Sequence, residues 1–519
     1  MPGGTIPLPR SRIGADRLMC GNRGRGAERV SEVAIAFVAG RSDETALLIA
    51  VVGSSGQTGM SKQELKSGVH CMEIVSGKGI SGTFTANEEG NRVKLFSFGD
   101  FIYFPPEDPL YLVTAEGGVI SMFRNISKSL GNQSSIFSEL AAIHHQEIIS
   151  NLCLSGVERW HLDDKVKRVR FTVPHIINIM RNEDKIGFLS LERHDATSEN
   201  YDIFRIKSKN LCVSASYTAD YSLWSKEPQN IDVVFEVEYD EAQDLGRHLV
   251  TIQDISNFFV FATGLPLTPS SVVVSRLSSR DFMARLEKEH VPDEHRDLVR
   301  FRSYDVEDHG IHFHGSPVHA DDVGELSALA LSLLAWMDRA ETWRGSYAHM
   351  FDCSRQRQMI SAERILSACR WLEELPSAQP IRGYSDGFVG SIISSAIEAA
   401  KNNGHEELTD RIASSLKKLT SESHRSRFAR LSQIVDFDFQ LKSKEQFLND
   451  LSRSQRLRGK AAHGRLDFES EEDFLNCARS VSAVEALCYL LTAKDLPISD
   501  LGRELSRGNR FVSDYAQSR

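Results

Sequence analysis

The feature that most constrains the fold is a change in the period of the apolar residues near residue 322. Before this point, short segments alternate apolar and polar side chains, as in residues 169–173 and 235–239. A period of two is typical of half-buried antiparallel strands. After it, apolar residues recur three and four positions apart, which is typical of amphipathic helices. The sequence therefore predicts an α+β multidomain chain in which a β-rich N-terminal region precedes an all-α region.

Turn residues and helix-capping residues indicate where the individual strands and helices begin and end. Gly, Asn, Asp and Pro separate the predicted strands, as turn residues do. One predicted helix ends at Gly264, a residue type common just past a helix C-terminus. Ser470 and Asp473 have the spacing of a capping box at a helix start. The predicted strands also cover 46–52, 93–104, 110–113, 119–123 and 271–275; the predicted helices cover 138–151, 247–263, 325–350, 355–375, 388–401, 406–419, 444–462 and 471–493.

Length and charge divide the chain further. With 519 residues the chain exceeds one ordinary core, so two or three domains are expected. Residues 1–30 are rich in Gly, Pro and Arg without apolar periodicity, which predicts a disordered basic tail. We therefore predict a β-rich N-terminal domain over 31–322 and an α-helical region over 323–519. Residues 31–330 carry 28 basic and 43 acidic side chains, whereas 411–465 carry 13 basic and 5 acidic, a local footprint for a polyanion.

Several classes of protein are disfavoured by composition. The longest apolar runs fall short of the roughly 20 residues that span a bilayer. No apolar segment follows the N-terminal arginines, as it would in an export signal. The eight cysteines are scattered without a CxxC pair, which is typical of reduced thiols. We expect a cytoplasmic protein with no membrane partner.

A basic segment over residues 456–466 joins two predicted helices and contains Arg458 and His463. RNA cleavage without metal requires proton transfer, which histidine performs near neutral pH, and phosphate binding, which arginine performs. Five positions along a helix rotate a side chain by about 140°. The two side chains therefore do not stack within one chain, but a site shared across a two-fold axis would unite them. The alternative is that His463 and Gly464 simply end a helix.

The segment 444–494, with this motif between two helices, resembles a HEPN domain. More specifically, the chain resembles the ApeA-like branch of bacterial anti-phage proteins. Two earlier stretches agree with that branch, GVERWHLDDKVKRVRF (156–171) and SYAHMFDCSRQRQMISAERILSACRWLEEL (346–375). The resemblance covers most of 80–510. It implies a metal-independent endoribonuclease without cofactor that acts in abortive infection, with an N-terminal region that senses or restrains and a helical domain that forms at least a dimer.

The family's roles are carried over by position. Arg458 would bind the scissile phosphate, and His463 would act as general acid or base or orient the 2′-hydroxyl. Gly459 departs from the family, which usually has a polar residue there, often Asn; Lys460 is a candidate supporting residue. Arg456 satisfies a longer form of the motif, since seven helical positions bring it within about 20° of His463. The alternative function is a non-catalytic HEPN module for dimerisation and nucleic-acid binding, which Gly459 favours.

The resemblance and the charge pattern together predict the partners. We expect RNA, with tRNA or another cellular RNA as the substrate, a second copy of the chain, and a phage-derived trigger. Basic residues upstream of the motif are candidates for RNA contact along the phosphate backbone. They also fit a solvated helix face near a C-terminus. These candidates are Lys417, Lys418, Arg425, Arg427 and Arg430.

Two other segments are weaker candidates. The cluster from His309 to His319 contains His312 and His314, which on a strand would point the same way, a spacing that suits metal-binding imidazoles. Such alternation is also typical of an exposed strand or linker. Residues 53–61 resemble a phosphate loop, but Met60 stands where the lysine is needed. We therefore predict neither a metal nor a cofactor.

Overall fold

The computed structural model describes residues 69–73, 80–87, 90–98, 103–105, 108–115, 117–133, 143–156, 158–189, 202–221, 228–286, 297–299, 315–318, 325–435 and 442–518. All of these lie in one compact unit, Met60–Arg519. The predicted tail over 1–30, the strand over 46–52 and the loop over 53–61 lie outside the described residues. So do the histidines of the cluster from His309 to His319 and the predicted boundary at residue 322.

The first β structure is a closed barrel of antiparallel strands. Its strands are β1 (Val69–Glu73), β2 (Ser81–Asn87), β3 (Gly90–Phe98), β4 (Leu110–Thr114), β5 (Val119–Gln133) and β6 (Ile143–Gly156), paired in the order β1-β2-β3-β6-β5-β4. Alternate residues such as Val93, Leu112 and Met122 point inward and are fully buried. They form a small hydrophobic cluster inside the barrel. The strands predicted over 110–113 and 119–123 are confirmed, with β5 extending well beyond residue 123, and the strand predicted over 93–104 is confirmed as far as Phe98.

The predicted helix over 138–151 is wrong for residues 143–151, which belong to β6. Gln146, Ile148 and Ser150 point inward at a period of two, but two of them are polar, so the alternation is concealed in the sequence. The Gln146 amide accepts from the Phe104 N–H at 3.0 Å and donates to the Phe104 carbonyl at 2.9 Å. Ser150 donates to the Phe123 carbonyl at 2.8 Å. These hydrogen bonds satisfy buried polar groups that the sequence pattern assigns to a surface.

The second sheet is also antiparallel. Its strands are β7 (Lys165–Thr172), β8 (Asp202–Ser208), β9 (Leu211–Tyr221), β10 (Pro228–Asp244), β11 (Ser270–Ser275) and β12 (Asp297–Val299), in the order β12-β11-β7-β10-β9-β8. The strands predicted at 169–173, 235–239 and 271–275 are confirmed within it. Short helices α1 (Ile177–Met180) and α2 (Glu183–Ile186) follow β7.

The predicted helix near 247–263 is α3 (Leu245–Thr263), which covers one face of the second sheet. Phe235 of the sheet lies between Phe171 and Phe259, with ring centroids 5.4 and 5.1 Å away. Gly264 ends α3 with φ 69°, a left-handed conformation that glycine adopts without steric cost. A further helix, α4 (Ser279–Leu286), follows β11.

From residue 325 onward the described chain is helical. The helices are α5 (Glu325–Arg355), α6 (Ala362–Glu374), α7 (Asp386–Asn402), α8 (Thr409–Lys417), α9 (His424–Ile434), α10 (Lys444–Ala462), α11 (Glu471–Asp495), α12 (Asp500–Ser506) and α13 (Arg510–Gln517). The α+β organisation is therefore confirmed. The Ser470 hydroxyl accepts from the Asp473 N–H at 3.1 Å, so the predicted start of α11 is also confirmed.

One hydrophobic core joins the second sheet to the helical region. Trp336 of α5 stacks on Tyr347 at 3.7 Å, and Phe261 of α3 stacks on Tyr489 of α11 at 4.8 Å. The Trp336 indole donates to the Asp254 carbonyl of α3 at 2.9 Å. The change from strand to helix periodicity near residue 322 is therefore a change of secondary structure within one core.

Among the described residues, α11 alone is long and apolar enough to cross a membrane. Its most apolar stretch is 67% buried within the protein. Residues such as Val484, Leu487 and Tyr489 are fully buried there. Its apolar surface is thus used in the core of this fold.

Candidate functional site

The basic motif lies on the last two turns of α10, whose sides have different surroundings. Phe447, Leu451, Ser454 and Ala461 form the buried side. Arg458 lies four positions after Ser454 and three before Ala461, so it belongs to the edge of that packed side.

The Arg458 guanidinium forms an ion pair with Glu373 at the end of α6, with Nη2 and Oε2 2.8 Å apart. Both side chains are partly exposed, at 40% and 35%. Cys369, one turn earlier on α6, lies within electrostatic reach of both; burial raises its pKa to about 12, and Arg458 opposes that rise. The motif arginine is therefore paired with an acid from another helix, at the rim of the core.

The exposed side of α10 carries the other motif residues. Arg456, Lys460 and His463 are all exposed. At about 100° per residue they fall within a sector about 60° wide, whereas Arg458 lies about 140° from His463. None of the three side chains has a hydrogen bond or ion pair with any residue that the structure describes. Helix α10 therefore places Arg456, Lys460 and His463 on one exposed side, over about two turns, and directs Arg458 away from His463 within one chain.

Helix α10 ends at a glycine in the left-handed backbone conformation. Gly464 has φ 65°, its N–H donates to the Ala461 carbonyl at 3.1 Å, and the Arg465 N–H donates to the Lys460 carbonyl at 2.9 Å. These two bonds define a Schellman motif. The interpretation that His463 and Gly464 end a helix is confirmed, and this ending leaves the imidazole on the surface.

Gly459 lies on the exposed side of α10 in open space. Apart from its neighbours in the chain and the backbone of α10, no described heavy atom stands within 4 Å of the position that a Cβ would take. A polar residue such as Asn would therefore fit there without displacing any described neighbour. The departure from the family pattern has no steric cause in the described structure.

Of the basic residues upstream of the motif, some are exposed and others form hydrogen bonds within the chain. Lys417, Lys418 and Arg425 are exposed around the end of α8 and the start of α9. Arg427 is only 7% exposed, and its guanidinium donates to the carbonyls of Ala378 and Leu372 at 2.7 and 3.1 Å. Arg427 therefore fixes the end of α6, and its buried guanidinium is not available to a polyanion in this conformation.

Arg430 is also engaged. It donates to both carboxylate oxygens of Glu422, at 3.0 and 2.8 Å, and to the Gln379 carbonyl at 3.0 Å. The hydrogen bonds from Arg430 lower the pKa of Glu422. RNA contact remains a prediction for Lys417, Lys418 and Arg425, while Arg430 has a structural role at the base of the segment that precedes α7.

Glu373 is a residue that sequence reasoning missed. It lies 85 positions before Arg458, and no local signal joins the two. It does fall within the stretch 346–375 that carried part of the family resemblance. Within the described ranges, no group of three His, Cys, Asp or Glu side chains is arranged to hold a metal ion.

Comparison with known proteins identifies the β-rich part. Residues 76–282 match the family model described as ApeA N-terminal domain 1, which spans most of the barrel and most of the second sheet with α3. No curated protein and no solved structure matches the chain. The resemblance stated on residues 156–171 is thereby confirmed, and the match over 76–282 supports a relation to the ApeA-like anti-phage proteins.

Proposed function

We propose that this chain is a metal-independent endoribonuclease of the HEPN type that acts in the cytoplasm during anti-phage defence. The observation that carries the proposal is that Arg456, Lys460 and His463 share one exposed side at the end of α10, with Arg458 on another side of the same helix. It lies in an all-helical region that follows an ApeA N-terminal domain 1. A phage-derived signal acting on the N-terminal domain would release the activity.

The chemistry assigned to these residues follows from their exposure. His463 stands at a helix end with its imidazole reachable, so it can accept the proton of a ribose 2′-hydroxyl or return one to the leaving 5′-oxygen. A guanidinium can bind the phosphate through two parallel hydrogen bonds while the negative charge increases. Lys460 would add positive charge on the same side. The site needs no metal for any of these steps.

The identity of the phosphate-binding arginine separates two forms of the proposal. Arg456 shares a side of α10 with His463, so both could act from one chain. Arg458 lies about 140° away from His463, so it would reach the same phosphate from a second copy across a two-fold axis. The second form requires at least a dimer.

Glu373 is proposed to restrain Arg458. A partly exposed ion pair of this kind contributes about 1 kcal/mol or less, so an RNA phosphate can replace the carboxylate. Until then the carboxylate lowers the positive potential at the motif. We expect Glu373→Gln to bind RNA more tightly than the wild type, measured by fluorescence anisotropy with a labelled RNA.

The direct test is cleavage of a labelled RNA by the purified chain in EDTA. Because a general acid or base contributes about 10²–10⁴-fold, His463→Ala should lower the rate by at least about 100-fold. Arg465→Ala, a neighbouring exposed substitution, is the matched control and should cut at the wild-type rate. Equal rates for the wild type and His463→Ala would end the proposal, and so would complete inhibition by EDTA.

Mixing two inactive variants distinguishes the two forms. If the site is shared across a two-fold axis, Arg458→Ala and His463→Ala subunits together regain part of the activity, because one cleft then contains one intact arginine and one intact histidine. If Arg456 and His463 act within one chain, mixing Arg456→Ala with His463→Ala restores nothing.

The exposed basic residues Lys417, Lys418 and Arg425 are proposed to follow the RNA backbone. Replacing all three with Gln should weaken RNA binding and reduce the salt dependence of the affinity, because fewer counterions are then released. Arg503→Gln, which removes one exposed charge from α12, is the control and should change neither. An unchanged salt dependence in the triple variant would remove these residues from the RNA path.

The second candidate is a non-catalytic module for dimerisation and RNA binding, and Gly459 is the observation that favours it. Because nothing crowds that position, Gly459→Asn restores the family's usual residue without a clash. An RNA that both the wild type and Gly459→Asn bind but neither cuts would favour this candidate over the ribonuclease.

A further inference from the structure

The helical hairpin of α7 and α8 buries very little of its own surface. Of the 17 residues of α7, only Val389 is buried, and α8 has no buried residue. Phe388 is 51% exposed, and Ile393 and Ile397 are half-buried. Two short helices cannot enclose their apolar faces alone, because helices in proteins are stabilised mostly by packing against further elements.

One face of α7 has a symmetric arrangement of residues. At about 100° per residue, Asp386, Gly390, Ile393, Ile397 and Lys401 fall within a sector about 80° wide. The acid and the base stand at opposite ends, about 22 Å apart along the helix. Both are exposed, and Asp386 also has a partner four positions away in Arg382. Exposed pairs of this kind are weak, so the carboxylate can exchange partners.

The residues of this face are complementary in charge and size to the same residues read in the reverse direction. If two α7 helices pair antiparallel about a point between Ile393 and Ser394, Asp386 of one copy faces Lys401 of the other. Gly390 then faces Ile397, and Ile393 faces Ser394. Such a pairing is isologous, because both copies use the same surface and each type of residue pair therefore occurs twice across the two-fold axis.

The steric fit agrees with the charges. Apart from its neighbours in the chain and the backbone of α7, no described heavy atom lies within 4 Å of the position that a Cβ of Gly390 would take, so a side chain from another copy has room there. The Ser394 hydroxyl is turned back onto the Gly390 carbonyl at 3.0 Å, which leaves its small side chain against the facing Ile393. A bulky chain on one helix and a glycine on the other allow the backbones to approach closely.

We propose that this face of α7 binds the same face of α7 in a second copy of the chain, antiparallel, with two Asp386–Lys401 pairs at its ends. Self-complementarity of both charge and size argues for a second copy over an unrelated protein, which would require neither. The face lies on a different helix from the motif on α10. Together with a dimer formed through the motif, it would make assemblies larger than two copies. The inference does not depend on ribonuclease activity.

Charge reversal in the full chain tests the pairing, with mass measured by sedimentation across a range of concentrations. Asp386→Lys and Lys401→Asp each place like charges opposite one another, which should weaken self-association by at least about tenfold. The double variant restores opposite charges and should return to within about threefold of the wild type. Ser395→Lys adds the same charge on the opposite, exposed side of α7 and should leave association unchanged.

A second variant tests the steric fit. Gly390→Phe fills the space that Ile397 of the other copy would occupy, and its Cβ meets no described atom outside the backbone of α7. It should reduce the assembled mass without lowering the melting temperature. Masses unaffected by every substitution would overturn the proposal. A double charge variant as weakly associated as the single ones would overturn it too, as would a wild type that stays monomeric at all concentrations.

Discussion

The hairpin of α10 and α11 and the hairpin of α7 and α8 are both pairs of amphipathic helices, but they differ in how much of their surface is buried. Fourteen of the 25 residues of α11 are buried, against one of 17 in α7. The first hairpin packs against α6, α9 and α13, whereas α7 packs mainly on α8 and its flanking turns. Apolar periodicity predicts both as helices. Only the tertiary surroundings decide which is a fixed base for a site and which keeps a surface for a partner.

The largest predicted difference in stability concerns two ion pairs, one that joins α6 to α11 and one at the start of α7. Arg364 and Glu485 form a bidentate pair at 2.9 and 2.7 Å, and both are almost fully buried. Arg364→Ala leaves Glu485 charged in the core, so we expect the free energy of unfolding in urea to fall by about 3–5 kcal/mol. Arg382→Ala, at the exposed pair that begins α7, should cost about 1 kcal/mol or less. Equal losses would contradict the comparison.

The next difference concerns apolar side chains. Leu487 is fully buried in α11, so Leu487→Ala should cost about 2–5 kcal/mol through lost burial and a cavity. Ile392 of α7 is half-buried, and Ile392→Ala should cost about 1 kcal/mol, because water already reaches that side chain. Urea unfolding of both variants measures the ratio. A cost at Ile392 as large as at Leu487 would mean that α7 is enclosed in the folded chain.

The core that supports α10 and α11 should also respond to pH, through a buried histidine. His248 of α3 is fully buried, with Nε2 2.9 Å from the Val166 carbonyl, and burial lowers its pKa to about 4. Between pH 6.5 and 4 the unfolded chain binds a proton that the folded chain does not. Stability should therefore decrease as the pH falls through this range, by up to about 3 kcal/mol.

The control for this prediction is His248→Gln, which can donate to the same carbonyl and does not titrate. Unfolding free energies at pH 7 and pH 4 should differ more in the wild type than in the variant. The same pH dependence in both would exclude His248 as the cause.

The smallest predicted effects concern two glycines at the end of α10. Gly459 is helical and surrounded by open space, so Gly459→Ala should stabilise the chain by about 0.5–1 kcal/mol. Gly464 has φ 65°, and Gly464→Ala should destabilise it by about 1 kcal/mol, because a Cβ is strained in that conformation. Melting temperatures of the two variants should therefore shift in opposite directions. A shift in the same direction would contradict the assigned helix end.

Sequence reasoning succeeded where the signals are local. The bounds of α10 and the cap of α11 at Ser470 follow from side chains within a few positions of each helix end. The rotation between Arg458 and His463 also follows from helix geometry alone. The same geometry places Arg456 within about 20° of His463, whereas the exposure of both side chains is a finding of the structure.

It failed where the deciding contacts are distant. The helix predicted over 138–151 conflicts with β6, because the strand pattern is concealed by Gln146 and Ser150, which are buried polar residues whose partners are 42 and 27 positions away. The ion pair of Arg458 with Glu373 and the burial of Arg427 against the end of α6 depend on how helices pack. No local pattern encodes such contacts, since only the folded chain brings the partners together.

The central claim is that the end of α10 cuts RNA. The most direct measurement is total RNA integrity and growth in bacteria that express the chain under phage challenge, with the wild type compared with His463→Ala at equal protein levels. If the proposal is right, we expect fragmented RNA and arrested growth with the wild type, and intact RNA with His463→Ala. Fragmentation that persists in His463→Ala, or intact RNA in both under challenge, would contradict it.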